Sequence, residues 1–403
     1  MEMKTICIAG KNDIAVNVLL YCIKNCPNIN IVVVCNKNDS GKNGWQKSLL
    51  WYAKKYDVKT LSLPDVYKIE DLIFLSLEFD RIIRPEYFLS LKLFNIHFSL
   101  LPGYKGCHTS VLPILHGQKK TGVTFHRIDN GIDTGEIIEQ EEVTILPTDT
   151  SYDLYKKMIN VGTNLVIKNL ENVIKGIENS RKQDVQGSTY YSVHEINYAN
   201  IRLDVNSTAY QIQNQVRAFN FRPYQLITWN AVQYVECEIL DERSSQKPGD
   251  IIEDTETHTI IASIDYNVKL YKDVLTHIFS SIEKKENDRV KRLCESGQLL
   301  NAQDNHGWSP IIKAAYTGNT EIAEYLLERG ADIHVKNWNG TTLLMYAKDG
   351  GLNTGDWTIF RILVKQGLDC NEKDYDGRTL RDYLLINKDI EDVPHDIKVL
   401  LGL

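Results

Sequence analysis

The chain has 403 residues, of which 43% are hydrophobic and 25% charged, with a net charge of −7 and a pI near 5.9. That length exceeds one ordinary core and suggests two or three domains of a soluble globular protein. The acidic balance argues against a nucleic-acid partner, no apolar run approaches a membrane span, and eight scattered cysteines without a CxxC pair point to reduced thiols in a cytoplasm and to no metal site.

Residues 1–182 alternate strand-like and helix-like stretches. Thr5–Ala9 reads as an opening strand rather than a signal peptide. Ile31–Cys35 and Leu72–Ser76 are continuous apolar runs, as expected of strands buried on both faces of a parallel sheet. Thr150–Ile177 reads as one helix, with Thr150 or Ser151 as its N-cap. The expectation is a doubly wound α/β domain. The turn after the first strand, Gly10-Lys11-Asn12-Asp13, lacks GxGxxG, which argues against a nicotinamide dinucleotide. Lys11 and Asn12 there either face a phosphate or open an exposed helix.

The stretch Leu93–Phe98 carries Asn95 and His97 two residues apart, which puts both on one face of a strand. A Pro/Gly turn follows, and Asp133 sits in the glycine-flanked loop Gly131–Gly135, 36 residues beyond His97. An amide, an imidazole and a carboxylate are the parts that acyl transfer to an amine requires. The amide holds the carbonyl oxygen, the imidazole moves protons, and the carboxylate orients the imidazole or a water. The alternative, two satisfied polar groups at a strand end, fits either residue alone but not the whole set. Cys107, close by, reads as a packing residue rather than a nucleophile.

Asn95-x-His97-x-Ser99-Leu100-Leu101-Pro102, Tyr104-x-Gly106, Thr121–Thr124 and Asp129-x-Gly131-x-Asp133-Thr134-Gly135 together resemble the 10-formyltetrahydrofolate-dependent formyltransferases. That superfamily includes the glycinamide ribonucleotide, methionyl-tRNA and sugar N-formyltransferases, and the resemblance covers roughly the first 180 residues. It implies a Rossmann-like domain with 10-formyltetrahydrofolate as donor. The folate would be held by Phe79, Arg81, Ile82, Ile83 and Arg84 after Ser76, bordered by Asp129 and Ile132. The resemblance further implies His97 as general base, Asn95 as donor to the oxyanion, and Asp133 as the group that orients His97 and a water. Asn43–Leu49, with Trp45, Gln46 and Ser48, resembles the segment of dTDP-amino-sugar N-formyltransferases that approaches the sugar nucleotide. Tyr104, Lys105 and Gly106 are assigned to the same acceptor site.

Residues 183–276 read as a small β-rich domain. Its strand-like pieces are Thr189–Val193, Gln225–Trp229, Tyr234–Ile239, Thr259–Ile264 and Val268–Tyr271, with a helix over Ser207–Phe219. Arg217–Pro223 resembles a segment that closes the sugar-nucleotide site. In that reading Phe221 and Tyr224 stack on a base and Arg222 pairs with phosphate; the alternative is an aromatic core with a solvated arginine.

Residues 277–403 repeat. Gly307, Gly340 and Gly377 recur at spacings of 33 and 37, each followed by similar apolar patterns, and this resembles ankyrin repeats, whose period is about 33 residues. Gly350–Trp357 is expected to hold the excess as a longer loop, and Val290–Gly297 resembles a half-repeat that starts the stack. Trp308 and Trp338 lie near repeat glycines, off the apolar helix positions. They either mark a contact edge, for a protein or a second nucleotide ligand, or tuck against a neighbouring helix. This region holds 16 Lys+Arg against 20 Asp+Glu, a poor surface for tRNA.

The expected function is formyl transfer to the 3-amino (or 4-amino) group of a dTDP-linked dideoxyhexose, for O-antigen or a related glycan such as lipopolysaccharide. The enzyme is expected to be a cytoplasmic homodimer with no membrane partner. Formyltetrahydrofolate hydrolysis, methionyl-tRNA formylation and an ankyrin-based protein adaptor remain as alternatives.

Overall fold

A computed structural model describes residues 4–403, which group into two units: residues up to 201 together with 217–221, and 202–216 together with 222–403.

The strands of the first unit, among them the apolar runs seen in the sequence, are β1 (Thr5–Gly10), β2 (Asn30–Cys35), β3 (Lys59–Thr60), β4 (Leu72–Leu77), β5 (Leu93–His97), β6 (Lys105–Gly106), β7 (Lys120–Arg127), β8 (Ile137–Thr144) and β9 (Tyr190–Tyr191). Seven of them make one sheet in the order β3-β2-β1-β4-β5-β7-β8. β1 and β4 are buried along their whole length, as expected of predominantly apolar strands covered on both faces. The sheet is mixed rather than wholly parallel, because β7 runs antiparallel to β5 and to β8. A hairpin needs no crossover helix, so β7 and β8 close that edge directly. The hairpin loop, residues 128–136, leaves beside Leu93, where the Ile128 amide donates to the Leu93 carbonyl at 2.8 Å.

The helix Ser151–Lys175 carries the N-cap expected of it: Thr150 and Asp153 form a reciprocal capping box, and Gly176 ends it with φ +68. Leu154, Met158, Leu165, Val166 and Val173 recur on its buried face and join the core on one side of the sheet. Each such side chain contributes about 1.5–3 kcal/mol on burial.

β9 pairs with β6 and so belongs to the first unit, and residues 183–201 go with it rather than with the β-rich region. The reason is local. The backbone of Thr189 and Tyr191 completes the hydrogen bonds of the Pro102–Cys107 turn.

The second unit contains a five-stranded antiparallel sheet ordered β10-β11-β14-β13-β12. Its strands are β10 (Ile227–Trp229), β11 (Val232–Arg243), β12 (Ile251–Asp254), β13 (His258–Ile261) and β14 (Tyr266–Lys272). The helix over Ala209–Ala218 forms close to the expected place. β12 follows the Lys247–Asp250 turn and carries no strand signal of its own. After β14, helices Leu275–Glu283 and Asn287–Leu293 begin a series that continues as Pro310–Thr317 with Thr320–Glu328, then Leu343–Thr354 with Thr358–Lys365, then Leu380–Asn387. Leu226, Val235 and Val274 share one buried cluster with Ile278, Ile282, Ile312 and Ala315, so sheet and repeats have a common core. The extra residues of the second repeat lengthen a helix instead of a loop. Gly350 and Gly351 lie inside Leu343–Thr354, and close packing is what requires glycine there: a Cβ at Gly350 would stand 2.0 Å from the Ala315 carbonyl oxygen, and one at Gly351 would meet the Trp357 ring. Among the described residues no helix is long and apolar enough to cross a membrane.

Candidate active site

Three adjacent strands align three polar residues. Ser76 of β4 is opposite Asn95 of β5, and Asn95 is opposite His126 of β7. They form the floor of a cavity walled by Phe79, Arg81, Ile82 and Ile83 on one side and by Ile128, Asp129, Ile132 and Asp133 on the other. Of the residues expected to hold a cofactor, Phe79, Arg81, Ile82, Ile83, Asp129 and Ile132 line this cavity. Arg84 does not. It is exposed and precedes the short helical turn Pro85–Tyr87. Arg81 is anchored, lying 4.7 Å over the Phe79 ring and donating to the Cys35 carbonyl at 3.2 Å. Asp129 stiffens the facing loop by accepting from the Gly131 amide at 3.1 Å and the Thr134 hydroxyl at 2.6 Å.

Asp133 brings the cluster together. Its Oδ2 accepts from the Gly106 amide at 2.9 Å and stands 3.5 Å from His97 Nδ1. Its Oδ1 is 3.5 Å from Asn95 Nδ2 and 3.7 Å from His126 Nε2. His97 Nε2 is 2.7 Å from the Tyr104 carbonyl oxygen. A carbonyl only accepts, so Nε2 carries a proton, and Nδ1, beside the carboxylate, is the basic nitrogen of the neutral ring.

His126 carries no strand-end motif and was not among the residues singled out in the sequence. Its signal is the period of two in Thr124-Phe125-His126, which puts it on the face that Asn95 shares. Desolvation holds its pKa down to about 4, against the opposing pull of Asp133, so the ring is neutral near pH 7. Its Nδ1–H donates to the Arg127 carbonyl at 2.7 Å, which leaves Nε2 to accept from Asn95 Nδ2 at 3.1 Å. One Asn95 N–H is thereby fixed, and the longer 3.5 Å contact to Asp133 is the one that an incoming carbonyl oxygen can replace. Cys107 is no nucleophile here, since burial and the Asp133 carboxylate push its thiol pKa up.

The residues expected at the acceptor site divide. Asn12, with φ +67, donates to Glu78 Oε2 at 3.1 Å and contacts the Tyr155 hydroxyl at 3.3 Å, so it faces a carboxyl rather than an open anion site. Tyr155 donates to the same Glu78 oxygen at 2.7 Å, and Gln46 bonds the Tyr155 hydroxyl. Desolvation raises the Glu78 pKa to about 7 despite these donors. Lys11 is the residue before the helix Asn12–Asn25. Trp45 lies within 6.0 Å of the Tyr152 and Tyr155 rings and 5.5 Å from Phe221. Phe221 is buried in that aromatic group and presents no free face. Ser48 is buried and caps the helix Leu49–Lys55, with its hydroxyl on Asp39. Tyr104 stacks on Tyr191 at 5.4 Å, and its hydroxyl lies 3.1 Å from His116 Nδ1. Lys105 and Gly106 form β6 next to it. In the second unit Arg222 is paired with Asp273 at 2.6 Å, which neutralises the charge expected to meet phosphate, while Tyr224 is exposed. Trp308 packs on the repeat core, 5.0 Å from each of Tyr316 and Tyr346, and Trp338 is half-buried against Gly307.

Comparison with known proteins places this geometry. The "Formyl transferase" family matches residues 66–170, the "Formyl transferase, C-terminal domain" family 195–273, and "Ankyrin repeats (3 copies)" 257–337 and 276–374. The methionyl-tRNA formyltransferase of Clostridioides difficile (strain 630) is 32% identical over 46% of this chain and 59% of its own. That of Thermotoga neapolitana is 32% identical over 53% of this chain and 72% of its own. The chain thus spans less than two thirds of the first of these curated relatives. Among solved structures, WlaRD, a sugar 3N-formyl transferase in the presence of dTDP and 5-N-formyl-THF, matches with 42% identity and a TM-score of 0.63 over 68% of this chain and 99% of its own. An N-formyltransferase from Helicobacter canadensis, in complex with folinic acid and dTDP-3-aminofucose, matches with 41% identity and a TM-score of 0.62 over 67% of this chain and 100% of its own. With identity at that level along the full length of a solved relative, and the polar cluster in place on β5, β7 and their loops, the chain belongs to the formyltransferase family, extended by ankyrin repeats.

Proposed function

We propose that the chain transfers the formyl group of 10-formyltetrahydrofolate to the 3-amino group of a dTDP-linked dideoxyhexose. The observation that carries this reading is the 42% identity to a sugar 3N-formyl transferase over 68% of this chain, more than the first unit alone can supply. The cavity suits a flat heteroaromatic donor: Phe79, Ile83, Ile128 and Ile132 supply apolar walls, and Asn95, His126 and Asp133 lie at its end.

In this reading the donor supplies a formyl carbonyl, and the chain supplies proton transfer and charge stabilisation. His97 Nδ1 takes the proton from the acceptor amine, and Asp133, 3.5 Å away, stabilises the resulting imidazolium. Asn95 donates its second N–H to the carbonyl oxygen as negative charge grows there, with His126 holding the amide in the required orientation. The imidazolium then passes that proton, directly or through a water held by Asp133, to N10 of the folate as the formyl C–N10 bond breaks and the amide is left on the sugar nitrogen. No covalent bond to the protein is needed.

The test is incubation with 10-formyltetrahydrofolate and a panel of dTDP-3-amino and dTDP-4-amino sugars, followed by mass spectrometry of the sugar nucleotide. Formylation of a 3-amino sugar is the expected result. Formylation of methionyl-tRNA instead, or folate turnover without any acceptor, would replace the reading. The acidic repeat region, with 16 Lys+Arg against 20 Asp+Glu, speaks against tRNA.

A further inference from the structure

The acid–base pair depends on two backbone conformations that non-glycine residues rarely adopt. Asp133 has φ +54 and Tyr104, whose carbonyl holds His97, has φ +55. Such residues cost on the order of 1–3 kcal/mol each and persist only where the surroundings over-determine them. The surroundings are the same short segment in both cases, and it lies between the two formyltransferase matches, after the helix Ser151–Lys175.

At its start, Arg181 and Ile137 exchange backbone hydrogen bonds at 2.8 and 2.9 Å. Gln183 Nε2 then donates to the carbonyls of Asp133 and Gly135, both at 2.8 Å. Further on, the Thr189 hydroxyl accepts from the Tyr104 amide at 2.8 Å, and the Thr189 carbonyl accepts from Lys105 at 3.0 Å. The Tyr191 carbonyl accepts from Cys107 at 2.9 Å. Gly106, whose amide holds Asp133, has φ +88, and a Cβ there would lie 2.2 Å from the Tyr191 carbonyl oxygen. The segment therefore grips the Asp133 loop at one end and the Tyr104–Cys107 turn at the other. Those two pieces are what hold His97 and Asp133 facing each other.

We propose that residues 181–191 form a strap that keeps His97 and Asp133 in register, with Gln183 and Thr189 as positioning residues acting through the Asp133 carbonyl and the Tyr104 amide. Most of the strap is exposed, so the global fold does not rest on it. Loosening it lets the two strained residues relax, which moves the base and its carboxylate apart without removing either. Small displacements of that kind lower turnover steeply.

This inference takes the turnover part of its test from the proposed function, and its structural part from hydrogen exchange of the full chain. Gln183→Leu and Thr189→Val are expected to raise deuterium uptake at Tyr104–Cys107 and at Asp133–Gly135, with β1 and β4 as protected as in wild type. They are expected to lower kcat about 10- to 100-fold, with KM for both substrates within about twofold of wild type. Thr189→Ser keeps the hydroxyl and should behave as wild type. Unchanged uptake in both turns, uptake that spreads to β1 and β4, or a loss carried by KM would overturn the strap. If wild type itself transfers no formyl group, the proposed function fails and the exchange pattern alone decides the strap.

Discussion

The cluster around Asp133 and the cluster around Trp308 both offered themselves as ligand sites in the sequence, and they are built in opposite ways. Around Asp133 the side chains of Asn95, His97 and His126 converge at 3.5–3.7 Å, beside a cavity, with hydrogen-bonding capacity in reserve. Around Trp308 the ring is taken up by packing instead. Tyr316 and Tyr346 meet the ring edge-on at 5.0 Å, and Lys313 lies 4.9 Å over its face. The difference separates groups placed to meet a ligand from groups placed to hold one repeat against the next.

The largest effect expected on the packed side comes from removing it. A chain ending at Lys272 loses Ile278, Ile282, Ile312 and the rest of the cluster that covers Leu226 and Val235. That burial exceeds the net 5–15 kcal/mol that keeps a typical domain folded. The truncated protein should be recovered mostly in the insoluble fraction. A soluble truncation with a cooperative melt would show that the sheet has a core of its own and would break the comparison.

On the converging side, His97→Ala should lower kcat by about 100- to 10,000-fold, the range for a lost general base. Turnover within a few-fold of wild type would remove that role. Asn95→Ala should raise the barrier by about 2.7–4 kcal/mol, as for the loss of one oxyanion donor. If His126→Phe, which leaves Asn95 in place but frees its amide, costs nothing in kcat, the orientation argued from the 3.1 Å contact is unnecessary.

These expectations also show what the sequence made legible. Asn95, His97 and Asp133 could be named because a strand's period of two and a glycine-flanked loop are local signals. His126 escaped because its importance lies in register: β7 runs antiparallel to β5, and only that pairing sets it opposite Asn95. Gln183 and Thr189 escaped for the same reason, since their partners lie 48–85 residues away. The ankyrin repeats announced themselves through their glycines, but Gly350 and Gly351 misled, because a glycine that admits a neighbouring helix looks in sequence like one that makes a loop. The shared core of sheet and repeats has no sequence signature at all.

Trp308→Ala should leave formyl transfer unchanged and cost about 2–3 kcal/mol, somewhat below the 3–5 kcal/mol of a fully buried tryptophan because the ring is half-buried. Chemical denaturation checks it. A variant as stable as wild type but altered in binding a dTDP ligand would mean that the ring faces are not spent after all.

The smallest effect comes from Glu78, which is both packed and poised. Asn12 and Tyr155 saturate one of its oxygens, yet desolvation raises its pKa to about 7. The unfolded carboxyl titrates near 4.3, so between about pH 4.3 and 7 the folded chain binds more protons than the unfolded one, and ionisation costs stability as pH rises through that window. His126 runs the other way. Its pKa of about 4 lies below the unfolded value near 6.5, so it costs stability as pH falls from about 6.5 toward 4. The two slopes oppose each other in wild type and hide each other in its melting profile. Glu78→Gln removes one of them. Near pH 5, where Glu78 is mostly neutral, the variant should melt close to wild type; near pH 8 it should be the more stable by on the order of 1–2 kcal/mol. A stability difference that does not change between these pH values would mean that Glu78 is solvated and ordinary, and that its contacts with Asn12 and Tyr155 belong to the packed class.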